Sequence, residues 1–253
     1  MTPELATAYL RLKEAFSGLY EKPLSSFWRV PISVVITIVD LGMGNLHSVK
    51  NALSNVAPGQ TAVVTADPQQ ILDAERVVLP GQGAIGTWFR AYERLNLSAA
   101  INDAINNKPL LGICIGQQAM FQSSDEDGGV NGFGLFDGKV RHFSEFHKPD
   151  RQTSVQPRGK LKIPHMGWNQ VSQTQPHPLW DGIADQTRFY FVHSYCANAE
   201  NPADVFGVTD YGHKFTAAVG RQNVFAVQFH PEKSQHAGLQ LLRNFTEWDG
   251  SVQ

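Results

Sequence analysis

A cysteine set between two glycines is the first feature of this chain with chemical consequences. In Gly112-Ile-Cys114-Ile-Gly116 the thiol residue has glycine two positions before it and two after. Residues 110–113 read as a short apolar strand running into the cysteine, and residues 115–121 resume a helical pattern. A nucleophile on so tight a strand-to-helix turn leaves no room for larger side chains at those two positions. The turn lifts the sulfur above the sheet edge and sets it at a helix N-terminus, where the dipole favours thiolate. An isolated free cysteine is more often a small core residue. The paired glycines and the strand-to-helix setting move Cys114 from packing to chemistry.

A thiolate needs a base, and His230-Pro-Glu232 offers one. Residues two apart at a strand end project to the same face. Glu232 could therefore fix the tautomer of His230 and stabilise its cation, as the third member of a triad does. Acyl transfer also needs donors for a developing oxyanion. The glycine-rich stretch Leu79-Pro-Gly-Gln-Gly-Ala84 follows an apolar strand and presents unobstructed backbone N–H groups. Gly81, Gln82 and Gly83 are candidates for one donor, and the N–H of Ile115 for the second.

These groups must be positioned by the elements around them. Residues 34–39 form a near-continuous apolar run, as in a strand buried on both faces of a parallel sheet. A helix over 45–56, strands over 61–65 and 76–79, helical pattern over much of 88–105 and the strand at 110–113 follow. This alternation predicts an α/β sheet. The second half reads as strands at 140–143, 165–171, 188–195, 205–209, 215–219 and 224–229, expected to add to that sheet as antiparallel hairpins. Residues 144–160 read as a loop. Ser234 is placed to cap a last helix carrying Leu241, Leu242, Phe245 and Trp248 on one face.

Residues 1–33 read as an N-terminal extension with an amphipathic helical face (Leu5, Tyr9, Leu12, Phe16, Leu19), and residues 34–253 as the working domain. Across all 253 residues, 42% hydrophobic and 17% charged content excludes disorder and low complexity. A net charge of −2 offers no footprint for nucleic acid, and no apolar run is long enough to span a membrane. Two cysteines, Cys114 and Cys196, make no disulfide framework, so a cytoplasmic setting is expected. Neither a metal nor a cofactor is expected.

Taken in order, the glycine-rich loop, Gly-x-Cys-x-Gly and His-Pro-Glu resemble the class I (triad) glutamine amidotransferases over residues 34–248. Within that family four strings are most similar to the glutaminase subunits of imidazole glycerol phosphate synthases. They are Val39-Asp-Leu-Gly-Met-Gly-Asn-Leu46, Pro164-His-Met-Gly-Trp-Asn169, Phe189-Tyr-Phe-Val-His-Ser-Tyr195 and Gln228-Phe-His-Pro-Glu-Lys-Ser234. The resemblance implies a flavodoxin-like α/β domain: a central, mostly parallel sheet with added antiparallel strands and flanking helices. It implies that Cys114 attacks the side-chain amide of glutamine, that His230 moves the proton and that Glu232 orients His230. Gln118, Ser194 and Tyr195 match substrate-binding positions. Asn45, His165, Trp168 and Lys233 match positions facing a partner, a (β/α)8 barrel synthase subunit that would receive the ammonia within a heterodimer. The segment Ile115-Gly-Gln-Gln118 departs from the common Leu-Gly-Met-Gln, and Gln82 stands where valine is common. Two other readings fit the same triad: a related subunit supplying ammonia for surface-sugar amidination, and a stand-alone cysteine hydrolase of the same fold.

Overall fold

The computed structural model describes residues 34–146 and 161–252. The expected helix within residues 1–33, and most of the 144–160 loop, lie outside the described residues. The first half of the domain alternates: β1 (Val35–Val39), α1 (Leu46–Val56), β2 (Thr61–Thr65), α2 (Pro68–Leu72), β3 (Arg76–Gly81), α3 (Ile85–Arg94), α4 (Ser98–Asn107), β4 (Leu110–Cys114) and α5 (Ile115–Gln118). Strands then dominate: β5 (Phe121–Ser124), β6 (Val130–Asn131), β7 (Phe136–His142), β8 (His165–Gln170), β9 (Ser172–Gln173), β10 (Arg188–His193), β11 (Tyr195–Ala199), β12 (Val205–Asp210), β13 (Lys214–Arg221) and β14 (Val224–Val227), before the closing helix α6 (Gln235–Glu247).

The main sheet has the order β2-β1-β3-β4-β14-β13-β12-β9. Its first five strands are mutually parallel, and β13, β12 and β9 extend it in antiparallel fashion. Side chains alternate across the pleat, so each of the four inner parallel strands feeds two cores. Ile36, Ile38, Leu111, Ile113, Phe225 and Val227 face one core, which α1 and α6 close with Val49, Leu53, Leu241, Leu242 and Phe245. Val39, Val77, Leu79, Leu110, Val224 and Ala226 face the other, closed by Ile71 of α2, Ile85 and Trp88 of α3, and Ile101 of α4. Full burial of each such aliphatic or aromatic side chain is worth about 1.5–3 kcal/mol, which is why these strands read as unbroken apolar runs. Among the described residues, no helix is long and apolar enough to cross a membrane.

Four local expectations change. The helical stretch over 88–105 is two helices, broken where Asn96 takes φ +53; asparagine tolerates that left-handed conformation better than most residues. The strand expected over 188–195 stops at Ser194. Its first part, β10, pairs with β8 in a separate ribbon, while β11 pairs with β7 in a four-stranded sheet with β5 and β6. Not all the later strands therefore join the main sheet. The helix expected over 115–121 ends at Gln118, and Phe121 already opens β5. Ser234 sits at the N-cap position of α6, but its side chain makes no cap. Its hydroxyl donates to the His230 carbonyl at 2.6 Å and accepts from the Tyr190 N–H at 2.9 Å, pinning the His-Pro-Glu turn to β10.

Candidate active site

β4 ends at Cys114, which takes φ +56 and ψ −104 and opens α5 directly. A non-glycine residue in that region is strained and persists only where its surroundings enforce it. The enforcement comes from the flanking glycines. A Cβ on Gly116 would collide with the Leu79 carbonyl oxygen, and one on Gly112 would lie 2.8 Å from Ala226 Cβ and 2.8 Å from the Gly116 carbonyl oxygen. The elbow is thus wedged between β3 and β14, the neighbours of β4.

The glycine-rich loop leaves β3 beside this elbow, with Gly81 opposite Cys114 in the parallel ladder. A Cβ on Gly81 would come within 2.6 Å of Trp88 and 2.7 Å of Ile115. Trp88 itself donates to the Pro80 carbonyl at 3.1 Å and so holds the loop down. Gln82 and Gly83 line a pocket of about 390 Å³ together with Cys114, Ile115, Gln118, Glu126, Ser194, Tyr195 and Lys233. Gly81 is not among the lining residues.

His230 and Glu232 follow β14 into a tight 3-10 turn. His230 Nδ1 lies 2.8 Å from Glu232 Oε1, and each side chain is only 2% exposed. Burial, the strongest single influence, pulls the His230 pKa down. The charge of Cys114, with the Glu232 bond and charge, overcomes that and pushes it up to about 10. The balance favours the charged ring, with Glu232 engaging its Nδ1.

Three further groups lie at the pocket or behind it. Gln118 Nε2 donates to the Tyr195 carbonyl at 3.0 Å and to Gln228 Oε1 at 2.9 Å. Gln228, fully buried, directs its own Nε2 at Cys114 Sγ, 3.6 Å away. The Gln118 carbonyl oxygen is buried with no partner among the described residues. Glu126 Oε2 accepts the Ile85 N–H at 3.0 Å, and burial raises its pKa. Sequence reasoning assigned no role to Gln228 or Glu126. Gln228 opens one of the family-like strings but carries no role by its type or spacing, and Glu126 carries no local signal.

The residues expected at a partner surface are distributed differently from one another. Trp168 (42% exposed) stands beside exposed Met166 (62%) and Ile163 (36%) on and before β8. Lys233 lines the pocket. Asn45 caps α1, accepting from the Ser48 N–H at 3.2 Å. His165 is buried on the opposite face of β8, its ring stacked between Phe191 and Tyr211. Cys196 is fully buried in β11, where burial pushes its thiol up to about 12.

Comparison with known proteins identifies the family. Residues 37–248 match the family model for glutamine amidotransferase class-I. A protein of Dechloromonas aromatica described as imidazole glycerol phosphate synthase subunit HisH is 52% identical over 213 residues, covering 84% of this chain and 96% of its own length. The HisH subunit of Pseudomonas putida is 49% identical over 216 residues, covering 85% and 98%. Among solved structures, PurLQS from Thermotoga maritima superposes with a TM-score of 0.62 at 17% identity, over 85% of this chain and 99% of that one. A glutamine amidotransferase from the same organism gives 0.54 at 12%, over 85% and 83%. At those identities the structures speak to the fold alone.

Proposed function

The chain belongs to the class I glutamine amidotransferase family, on the branch of the imidazole glycerol phosphate synthase glutaminase subunits, and on that premise we propose that Cys114, His230 and Glu232 release ammonia from glutamine and pass it to a (β/α)8 barrel synthase subunit. The observation that carries this reading is the buried contact of Glu232 with His230, together with a strained cysteine that lines the pocket.

Each step has a residue to perform it. Cys114 Sγ attacks the side-chain amide carbon of glutamine. The Ile115 N–H, which has no intrahelical acceptor at the first helical position, and an N–H of the Gly81-Gln82-Gly83 loop receive the oxyanion. His230 already carries the proton that the departing ammonia needs, and Glu232 keeps the ring turned to deliver it. The C–N bond breaks to leave a γ-glutamyl thioester. Water, deprotonated by the now neutral His230, then attacks to yield glutamate and restore the thiolate. Gln118, with its unpartnered carbonyl oxygen, and Ser194 and Tyr195 at the pocket wall hold the substrate. Glu126 offers a carboxylate for its α-ammonium group. The apolar surface of Ile163, Met166 and Trp168, continuous with Pro164 at the pocket, suits docking of the barrel.

Replacing Cys114 by alanine tests this in the assembled synthase. Glutamine-dependent synthesis should vanish while synthesis from ammonium salts persists. Glutamine-dependent turnover surviving in that variant overturns the reading.

A further inference from the structure

Tyr195 presents a carbonyl that is addressed from two sides. Gln118 reaches it from the nucleophile's side, and the His193 ring from the other, with Nδ1 at 2.8 Å. His193 Nε2 lies 2.9 Å from His165 Nδ1, and His165 Nε2 lies 3.2 Å from Asn169 Nδ2. A chain of side chains therefore runs from β8, the strand whose outer face carries Met166 and Trp168, to the wall of the active-site pocket.

The direction of every proton in this chain is fixed by backbone groups at its ends. A carbonyl only accepts, so His193 must carry its proton on Nδ1 and accept on Nε2. His165 must then donate from Nδ1 and accept on Nε2. The Asn169 amide is oriented independently: its Nδ2 also donates to the Asp210 carbonyl at 2.9 Å, and its Oδ1 accepts the Gln170 N–H at 2.8 Å. The same logic continues past Tyr195. Gln118 must donate to that carbonyl, so Gln228 Oε1 accepts, and only the Gln228 Nε2 is left to point at Cys114 Sγ. Any other tautomer would oppose two acceptors or two donors in a buried site, at a cost comparable to a lost hydrogen bond.

We propose that Asn169, His165 and His193 are positioning residues, which hold the Tyr195 carbonyl in place and through it the Gln118 and Gln228 amides aimed at the Cys114 sulfur. The inference rests on Cys114 being the nucleophile and adds residues that act on the sulfur through others, although His193 itself also lines the pocket. Burial supports it by keeping both rings neutral: the His165 pKa falls to about 4, and that of His193 to about 3, where burial outweighs the raising effect of the bond to the Tyr195 carbonyl and the charge of His230 adds to the fall. A neutral ring cannot donate from both nitrogens, so the chain keeps one direction through the neutral range.

The test combines kinetics with a tautomer measurement on the full chain. In the assembled synthase, His193→Leu should lower the kcat for glutamine about tenfold, as loss of one buried hydrogen bond at a reacting centre does. Ammonium-dependent synthesis should be unchanged. His193→Asn, whose amide can replace the Nδ1 donor toward Tyr195, should recover kcat to within about threefold of wild type on the same basis. Nitrogen-15 spectra of the wild-type imidazoles should show His165 and His193 neutral and both protonated on Nδ1. If His193→Leu does not fold, Asn169→Ala at the outer end takes its place, with about a threefold loss expected. Equal loss in the leucine and asparagine variants, no loss in either, or a His193 proton on Nε2 overturns the proposal. Cys114→Ala run in parallel separates the two claims. Turnover surviving there removes the triad reading, whereas turnover lost there but unchanged in His193→Leu removes only the positioning chain.

Discussion

Two buried pairs, His230 with Glu232 and His193 with His165, lie near one pocket, and their imidazoles differ in charge: the first favours the cation and the second stays neutral. His230 is 2% exposed and faces Glu232 and the Cys114 sulfur; its pKa is pushed up to about 10. His193 is also buried and faces His165 and a carbonyl; its pKa is pushed down to about 3. Burial acts on both in the same direction, against the charged form. The difference lies in what each ring meets. A carboxylate partner stabilises a cation in a dry site, whereas a second imidazole and a backbone oxygen do not. One pair stores a proton for chemistry, and the other commits its protons to fixed hydrogen bonds.

Asparagine substitution at the two sites should separate them most sharply. His230→Asn removes the proton carrier, and glutamine turnover should fall about a thousandfold or more, the range for loss of a general acid–base in a cooperating triad. The same replacement at His193 keeps its donor and should be mild. Comparable losses at both positions would erase the distinction.

Stability against pH gives a second, smaller contrast. A raised folded pKa contributes stability that is complete below the unfolded value of 6.5, and His230 loses it as pH rises through about 10. For His165 and His193 the sign reverses. The unfolded chain takes up protons below 6.5 that the native state refuses, so stability falls as pH drops toward about 4 and about 3. Urea midpoints between pH 3 and 10 should decline on both sides, and His230→Asn should flatten the alkaline limb alone. The smallest effect belongs to Cys196, in a strand core and outside the pocket lining. Cys196→Ala should leave turnover unchanged and cost ~1 kcal/mol of stability, measured by denaturant unfolding.

What the sequence made legible follows from distance along the chain. The elbow of Cys114 with Gly112 and Gly116, the His230–Glu232 spacing and the apolar runs of the parallel strands are local patterns with direct steric or periodic meaning. The amide links are not local. Gln118 reaches Tyr195 across 77 residues and Gln228 across 110, and both contacts depend on how β14 and β11 are registered against α5. His165 shows the same limit on a shorter scale. It stands next to exposed Met166, and only the pleat of β8 turns its ring inward to His193 while Met166 and Trp168 face out. The break at Ser194, which divides one apolar run between two sheets, had no glycine or proline to announce it.

The central claim is that Cys114, alone of the two buried thiols, is the nucleophile that glutamine meets. The most direct measurement is peptide mass spectrometry after exposing the assembled synthase to a chloroketone analogue of glutamine. One adduct should form, on the peptide carrying Cys114, slowed by added glutamine and absent in Cys114→Ala, with Cys196 unmodified. Modification of Cys196 in its place, or labelling indifferent to glutamine, would contradict the account.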